Sequence, residues 1–219
     1  MPVSTNYSPP ATIPEVLYND DDIIIVNKPA NLLTVPGRGE DKQDCLVTRI
    51  QENYPEVLSV HRLDMPTSGI VVLAKNKQTQ RQLGKQFQNR EIHKEYIADV
   101  VGIVDKDEDL IDLPLIADWP NRPMQKVDFN TGKPSQTRYQ VLNRNTQKNS
   151  TRLKLIPITG RSHQLRVHLL SIGHVILGDE LYSDEQAKKN IRLHLHATRI
   201  ELIQPVSGKK IIIESPCPF

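Results

Sequence analysis

Apolar residues along this chain fall into two patterns, unbroken runs and period-two alternation, with few long helical stripes between them. Ile23-Ile24-Ile25-Val26 follows Asp20-Asp21-Asp22 and precedes Asn27-Lys28-Pro29. A short β-branched run with polar borders and a closing proline predicts a buried strand. Gly69 to Ala74 (GIVVLA) predicts a second strand, covered on both faces. Glu95 to Val104 alternates, which puts Tyr96, Ala98 and Val100 on one face. Further strands are expected over Leu153–Ile158, Arg192–Ile200 and Lys210–Ile213.

Three helices are expected. Asp44 is placed to cap one running through Leu46, Ile50 and Tyr54 to Pro55. Asn76 caps a second, in which Leu83 and Phe87 face inward. Ser162 opens a third, with Leu165, Leu169 and Ile172 as its inward stripe and Gly173 as its stop. Residues 112–138, with their four prolines, read as irregular. Helices and strands mix without a βαβ rhythm, so the expected class is α+β, a mostly antiparallel or mixed central sheet flanked by helices and loops. An N-terminal arm over residues 1–12 and one domain over residues 13–219 complete the expectation.

Composition narrows the class. The 219 residues are 37% hydrophobic and 25% charged, as in ordinary globular proteins. A net charge of +2 names no partner, so an anion-binding surface has to come from local clustering. Cys45 and Cys217 form no metal or redox pattern and fit a reducing compartment. The first residues carry neither a basic start nor an apolar run, and no segment is long enough to span a bilayer. A cytoplasmic protein without membrane attachment is expected.

Two segments concentrate reactive groups. His61-Arg62-Leu63-Asp64-Met65-Pro66-Thr67-Ser68-Gly69 sets a carboxylate, a guanidinium and an imidazole just before an apolar strand. A carboxylate there is partly desolvated and needs a partner. Taken alone, the segment is open to two readings, a reactive loop or a turn stabilised by a local Arg–Asp pair. The second segment is Thr159-Gly160-Arg161-Ser162-His163-Gln164-Leu165-Arg166-Val167-His168. It sets Arg166 at the edge of a helix's inward stripe, where a half-buried guanidinium calls for an anion. Asp64 is the natural candidate, and a solvated arginine near a helix start is the alternative.

Other constellations are weaker. His163 and His168 are five apart and do not share a helical face, whereas His194 and His196 would share a strand face. No third ligand matches them, so hydrogen-bonded strand histidines are the plainer reading and no metal is expected. There is no phosphate-binding glycine loop and no serine or cysteine nucleophile motif. Lys77, Arg81 and Lys85 form a basic stripe, and Arg122 and Lys126, with Lys133 and Arg138, add cations in the irregular stretch. Each is consistent with a solvated surface or with phosphate tracking along RNA.

HRLDMPTSG (61–69) and LIPITGRSHQLRVH (155–168), continued by HVILGDELY (174–182), closely resemble the two main motifs of the RluA-type pseudouridine synthases. NKPANLLTVPG (27–37) and HKEYIADVVG (93–102) resemble two further segments of that family. The resemblance runs from about residue 13 to the end. It implies a catalytic domain with an RNA-binding cleft that isomerises uridine without metal or organic cofactor. It also implies roles: Asp64 as the essential aspartate, Arg166 as its paired arginine, Tyr96 as the ring on the flipped base, and Arg62 as the side chain entering the vacated space.

Lys77, Arg81, Lys85, Arg122 and Lys126 are then candidate RNA contacts. The core begins almost at once, so no appended RNA-binding domain is expected, and DLPLIADWPNRPMQKVDFNTGKPSQT (112–137) resembles the short members that act on 23S rRNA and a tRNA anticodon stem-loop. Pro66 departs from the family pattern. Two other classes stay open, a non-catalytic RNA-binding or RNA-folding module and a metal-dependent hydrolase built on His194 and His196. An intact Asp64–Tyr96–Arg166 set favours the isomerase, because a pure binder needs none of the three.

Overall fold

The computed structural model describes residues 7–183 and 192–219. The chain divides into two compact units, residues 7–92 with 200–215, and residues 93–183 with 192–199 and 216–219.

In the first unit, β1 (Glu15–Asn19), β2 (Ile23–Lys28), β3 (Leu58–Ser59) and β4 (Ser68–Ala74) pair antiparallel, β2 lying between β1 and β4. The continuous apolar runs are explained by burial on both faces. Ile23, Ile25, Ile70 and Val72 pack with Leu83 in one cluster, while Ile24, Val26, Val71 and Leu73, which alternate with them, are equally buried. The helix α1 (Leu46–Gln51) is shorter than expected and is capped by Cys45, not Asp44. Cys45 Sγ accepts from Thr48 N, and Thr48 Oγ1 accepts from Cys45 N at 2.9 Å. Asp44 is instead held bidentately by Arg49 at 2.7 and 2.8 Å, which draws its carboxylate away from the helix end.

The helix α2 (Lys77–Gln88) begins as its sequence predicts, with Asn76 Oδ1 accepting from Thr79 N at 2.8 Å. Of the expected N-terminal arm, residues 1–6 lie outside the described residues. Tyr7 is tied to the unit by its hydroxyl, which accepts from Leu33 N and donates to the Asp44 carbonyl.

The second unit is built on long antiparallel strands. β5 (His93–Val101), β6 (Glu108–Asp112), β9 (Gln136–Asn145) and β10 (Ser150–Pro157) pair in the order β5-β10-β9-β6. Strict alternation in β10 buries Thr151, Leu153, Leu155 and Pro157. Residues 112–138 are less irregular than expected. They hold the hairpin of β7 (Leu115–Ala117) and β8 (Gln125–Val127), whose Leu115 packs with Val167 and Tyr182.

The helix α3 (Gln164–Ser171) starts two residues later than Ser162 would set it, after His163 in a left-handed conformation. Its first six residues are all buried, and only Leu170 and Ser171 at its end are exposed. β11 (Leu195–Ile203) begins in the second unit and ends in the first, where β12 (Lys210–Glu214) pairs with it.

Candidate active site

The loop at 61–69 is pinned through its backbone on both sides of Asp64. The Leu63 carbonyl accepts from Thr34 Oγ1 at 2.8 Å, and Leu63 N donates back to the same oxygen at 3.2 Å. On the other side the Met65 carbonyl accepts from the Lys28 ammonium at 3.0 Å. Thr67 N closes the turn onto the Asp64 carbonyl at 3.1 Å, a bond that Pro66, lacking an N–H, does not disturb. The His61 imidazole accepts from Val72 N at 3.0 Å and lies 4.6 Å from the Phe87 ring, fastening the loop's start to β4 and α2. Between these anchors the Asp64 side chain is half-buried and Arg62 is exposed.

Lys28 and Thr34 were not singled out by sequence reasoning. Lys28 follows an apolar run and reads as an ordinary strand-end lysine, yet it is fully buried and also donates to the Leu32 and Pro29 carbonyls at 2.7 and 3.0 Å. Methionine at this position fills the space but leaves three carbonyls without that donor. Lys28→Met is therefore expected to cost about 1–3 kcal/mol of stability, read as a lower denaturant midpoint. An unchanged midpoint would show that the loop is held by other means.

In the second unit, Tyr96 lies on β5 opposite Leu155 of β10 and packs against the cluster that contains Leu155 and Leu165. Arg166 is only 2% exposed, far more buried than its expected place at a helix edge. Within this unit its carboxylate partner is Asp179, a residue that sequence reasoning missed. Arg166 Nε donates to Asp179 Oδ2 at 2.7 Å and Nη2 to Oδ1 at 2.6 Å. Asp179 Oδ1 also accepts from Leu181 N and Tyr182 N at 3.0 and 3.1 Å. Planar fork against carboxylate is the strongest geometry available to an arginine, and it fixes the guanidinium plane.

The Tyr182 ring lies 5.0 Å from the guanidinium, and its hydroxyl accepts from Gln125 N of β8 and meets His163 Nδ1, both at 2.7 Å. The only sequence signal for Asp179 is its place in the HVILGDELY segment. Gly178 before it is required by geometry, since φ is +74° and an added Cβ would lie 1.8 Å from the Arg192 carbonyl.

The histidines weighed as metal ligands have other work. His168 bonds Thr137 and the Leu113 carbonyl, and burial pushes its imidazole below the ordinary value against the opposing pull of that carbonyl. His194 Nδ1 meets Asp99, whose carboxylate also takes both nitrogens of Arg152. Burial raises the Asp99 carboxyl, but these hydrogen bonds outweigh it and hold it at about 2. Among the described residues no three His, Cys, Asp or Glu side chains gather as a metal site. Nor, among them, is any helix long and apolar enough to cross a membrane. Lys77, Arg81 and Lys85 are exposed on α2, and Arg122 and Lys126 are exposed on and beside the β7–β8 hairpin.

Comparison with known proteins bears on all of this. A family model described as RNA pseudouridylate synthase matches residues 22–171, which take in the Asp64 loop, Tyr96 and Arg166. The dual-specificity RNA pseudouridine synthase RluA of Escherichia coli K12 is 50% identical over 217 residues, covering 98% of each chain. Its namesake from Yersinia pestis is 55% identical over 205 residues, 93% of this chain and 99% of that one. Among solved structures, human RNA pseudouridylate synthase domain containing 1 superposes with a TM-score of 0.80 at 25% identity, covering 97% of this chain and 87% of that one. The pinned aspartate loop, the strand tyrosine and the clamped arginine thus lie within a matched stretch, and the chain belongs to the RNA pseudouridylate synthase family.

Proposed function

We propose that this protein isomerises particular uridines in 23S rRNA and in a tRNA anticodon stem-loop, with Asp64 as the group that acts on the target nucleotide. One observation carries the assignment. The backbone carbonyls before and after Asp64 are both anchored, by Thr34 and Lys28, while the Asp64 side chain is left half-buried. Such an arrangement holds a carboxylate in place at a surface that a substrate can reach.

Pseudouridine formation breaks the bond between C1′ of the ribose and N1 of uracil and makes one from C1′ to C5. The C5 proton is lost and N1 ends protonated, so the step needs no oxidant, reductant or group donor. A carboxylate is suited to start it, either by attacking C1′ or by taking a ribose proton. The target lies in folded RNA, so the nucleotide has to be turned out of its stack. Exposed Arg62 is the side chain proposed to occupy the gap. Tyr96 is proposed to stack on the uracil, an interaction worth about 1–3 kcal/mol. Arg166, held rigid by Asp179, is proposed as the cation that serves the Asp64 carboxylate, the role its motif implies.

Residues 13–219 are proposed to act together as the catalytic domain, in the cytoplasm. The exposed cations Lys77, Arg81, Lys85, Arg122 and Lys126 are proposed to contact phosphates. Recognition would then rest on the shape of a small loop and a few unpaired bases. The relatives whose name includes dual specificity support two RNA classes sharing such a loop.

The test uses purified protein and isolated stem-loops of both kinds carrying tritium at C5 of uridine. Release of tritium from both is the expected result. Release from one alone would end the shared-loop proposal and keep the chemistry. Release from neither, with folded protein, would sink the assignment.

A further inference from the structure

The chain's single tryptophan is spent on an exposed loop. Trp119 is 64% exposed at the tip of the β7–β8 hairpin, and Phe129, just past the hairpin, is 76% exposed. A single exposed apolar side chain is common on protein surfaces, so the surroundings of the Trp119 ring decide what it is for. The root of the hairpin is, by contrast, firmly built. Leu115 packs with Val167 and Tyr182, and Gln125 N donates to the Tyr182 hydroxyl at 2.7 Å. The tip is ordered as well. Asp118 N donates to the Met124 carbonyl at 2.9 Å, and Asn121 N and Met124 N make two further turn bonds of 3.0 Å. A rigid support therefore carries an aromatic side chain that contributes little to the core.

Its immediate neighbour states the chemistry. The Arg122 guanidinium lies 3.8 Å from the centroid of the Trp119 ring, a close cation–π stack. Lys126 adds a second cation, 4.0 Å from Asp118 at the base of the turn. An indole backed by a guanidinium offers a π-face to a flat ligand and positive charge to an anion attached to it. An unpaired nucleotide has both parts, a base to stack and a phosphate to meet. An aliphatic protein surface would match the ring but offer no anion to the Arg122 guanidinium stacked on it.

We infer that Trp119, with Arg122 stacked on it, is a docking platform for one unpaired base of the RNA substrate, separate from the base being isomerised. This rests on the RNA-modifying function proposed above and deepens it, by naming a residue that reads a single-stranded nucleotide.

The chain's own fluorescence tests it, since all tryptophan emission comes from Trp119. Full-length protein is titrated with a short RNA stem-loop, and in parallel with a fully paired duplex of the same stem. Binding is followed independently by the anisotropy of labelled RNA. The stem-loop should quench the emission with the midpoint seen by anisotropy, and Asp64→Asn should quench equally, because stacking needs no turnover. The duplex should leave emission nearly unchanged.

Trp119→Ala should weaken stem-loop affinity roughly 5- to 100-fold, the range expected for one lost base stack. Trp119→Phe should recover most of the loss, which separates stacking from damage to the fold. Unchanged affinity of Trp119→Ala overturns the inference whatever the emission does, as does RNA binding without quenching. Either outcome leaves tritium release by the wild type untouched. Absent tritium release with intact quenching would instead sink the proposed reaction and leave the platform standing.

Discussion

Asp64→Asn is expected to lower single-turnover isomerisation by on the order of 10⁴-fold or more, while RNA affinity and fold stay nearly as they are. The amide has the shape of the carboxylate but neither its charge nor its nucleophilicity, and either route for the reaction needs one of the two. The anchoring bonds at this loop run to the carbonyls of Leu63, Asp64 and Met65, all main-chain atoms that the substitution keeps. Tritium release at saturating enzyme, with anisotropy for affinity, makes the comparison. Turnover within tenfold of wild type would remove Asp64 from the chemistry.

Asp179→Ala is expected to be the most destabilising substitution near Arg166. It takes from a fully buried guanidinium the carboxylate that accepts two of its N–H groups, and it leaves Leu181 N and Tyr182 N without their acceptor. Removing one partner of a buried pair costs about 3–5 kcal/mol, on the order of 10 °C in Tm for a chain of this size. Asp179→Asn should fall between, because one amide edge still accepts from Arg166 Nη2 while the other turns an N–H₂ toward Nε–H. Thermal unfolding checks the order wild type, Asn, Ala. A Tm for Asp179→Ala within a few degrees of wild type would show that Arg166 is not held by this pair.

The candidate residues themselves were named from the sequence. Asp64, Arg62, Tyr96 and Arg166 stand in contiguous segments whose residue order resembles known motifs. Asp179, Lys28 and Thr34 were not found, for a common reason. Each acts through a partner distant in the chain: Asp179 on Arg166 thirteen residues back, Lys28 on the Met65 carbonyl and Thr34 on that of Leu63. A lysine that satisfies main-chain carbonyls leaves no periodic signal, because its acceptors are present at every residue. The hairpin at 115–127 was hidden by its prolines and short strands, which read as loop until burial of Leu115 is seen.

By itself the sequence determined the elements whose cause is local. Runs of β-branched residues specify β2 and β4, alternation specifies β5 and β10, and Asn76 sets the start of α2, since period and capping act over a few residues. It also determined the family, and its motifs supply the residues proposed for the chemistry. Tertiary structure alone decided which anion clamps Arg166, that Lys28 and Thr34 brace the Asp64 loop, that Cys45 displaces Asp44 as a cap, and that the first six residues of α3 are all buried. These are choices among chemically equivalent partners. A guanidinium pairs with any carboxylate and an ammonium with any carbonyl, so only the path of the chain in space selects the one it meets.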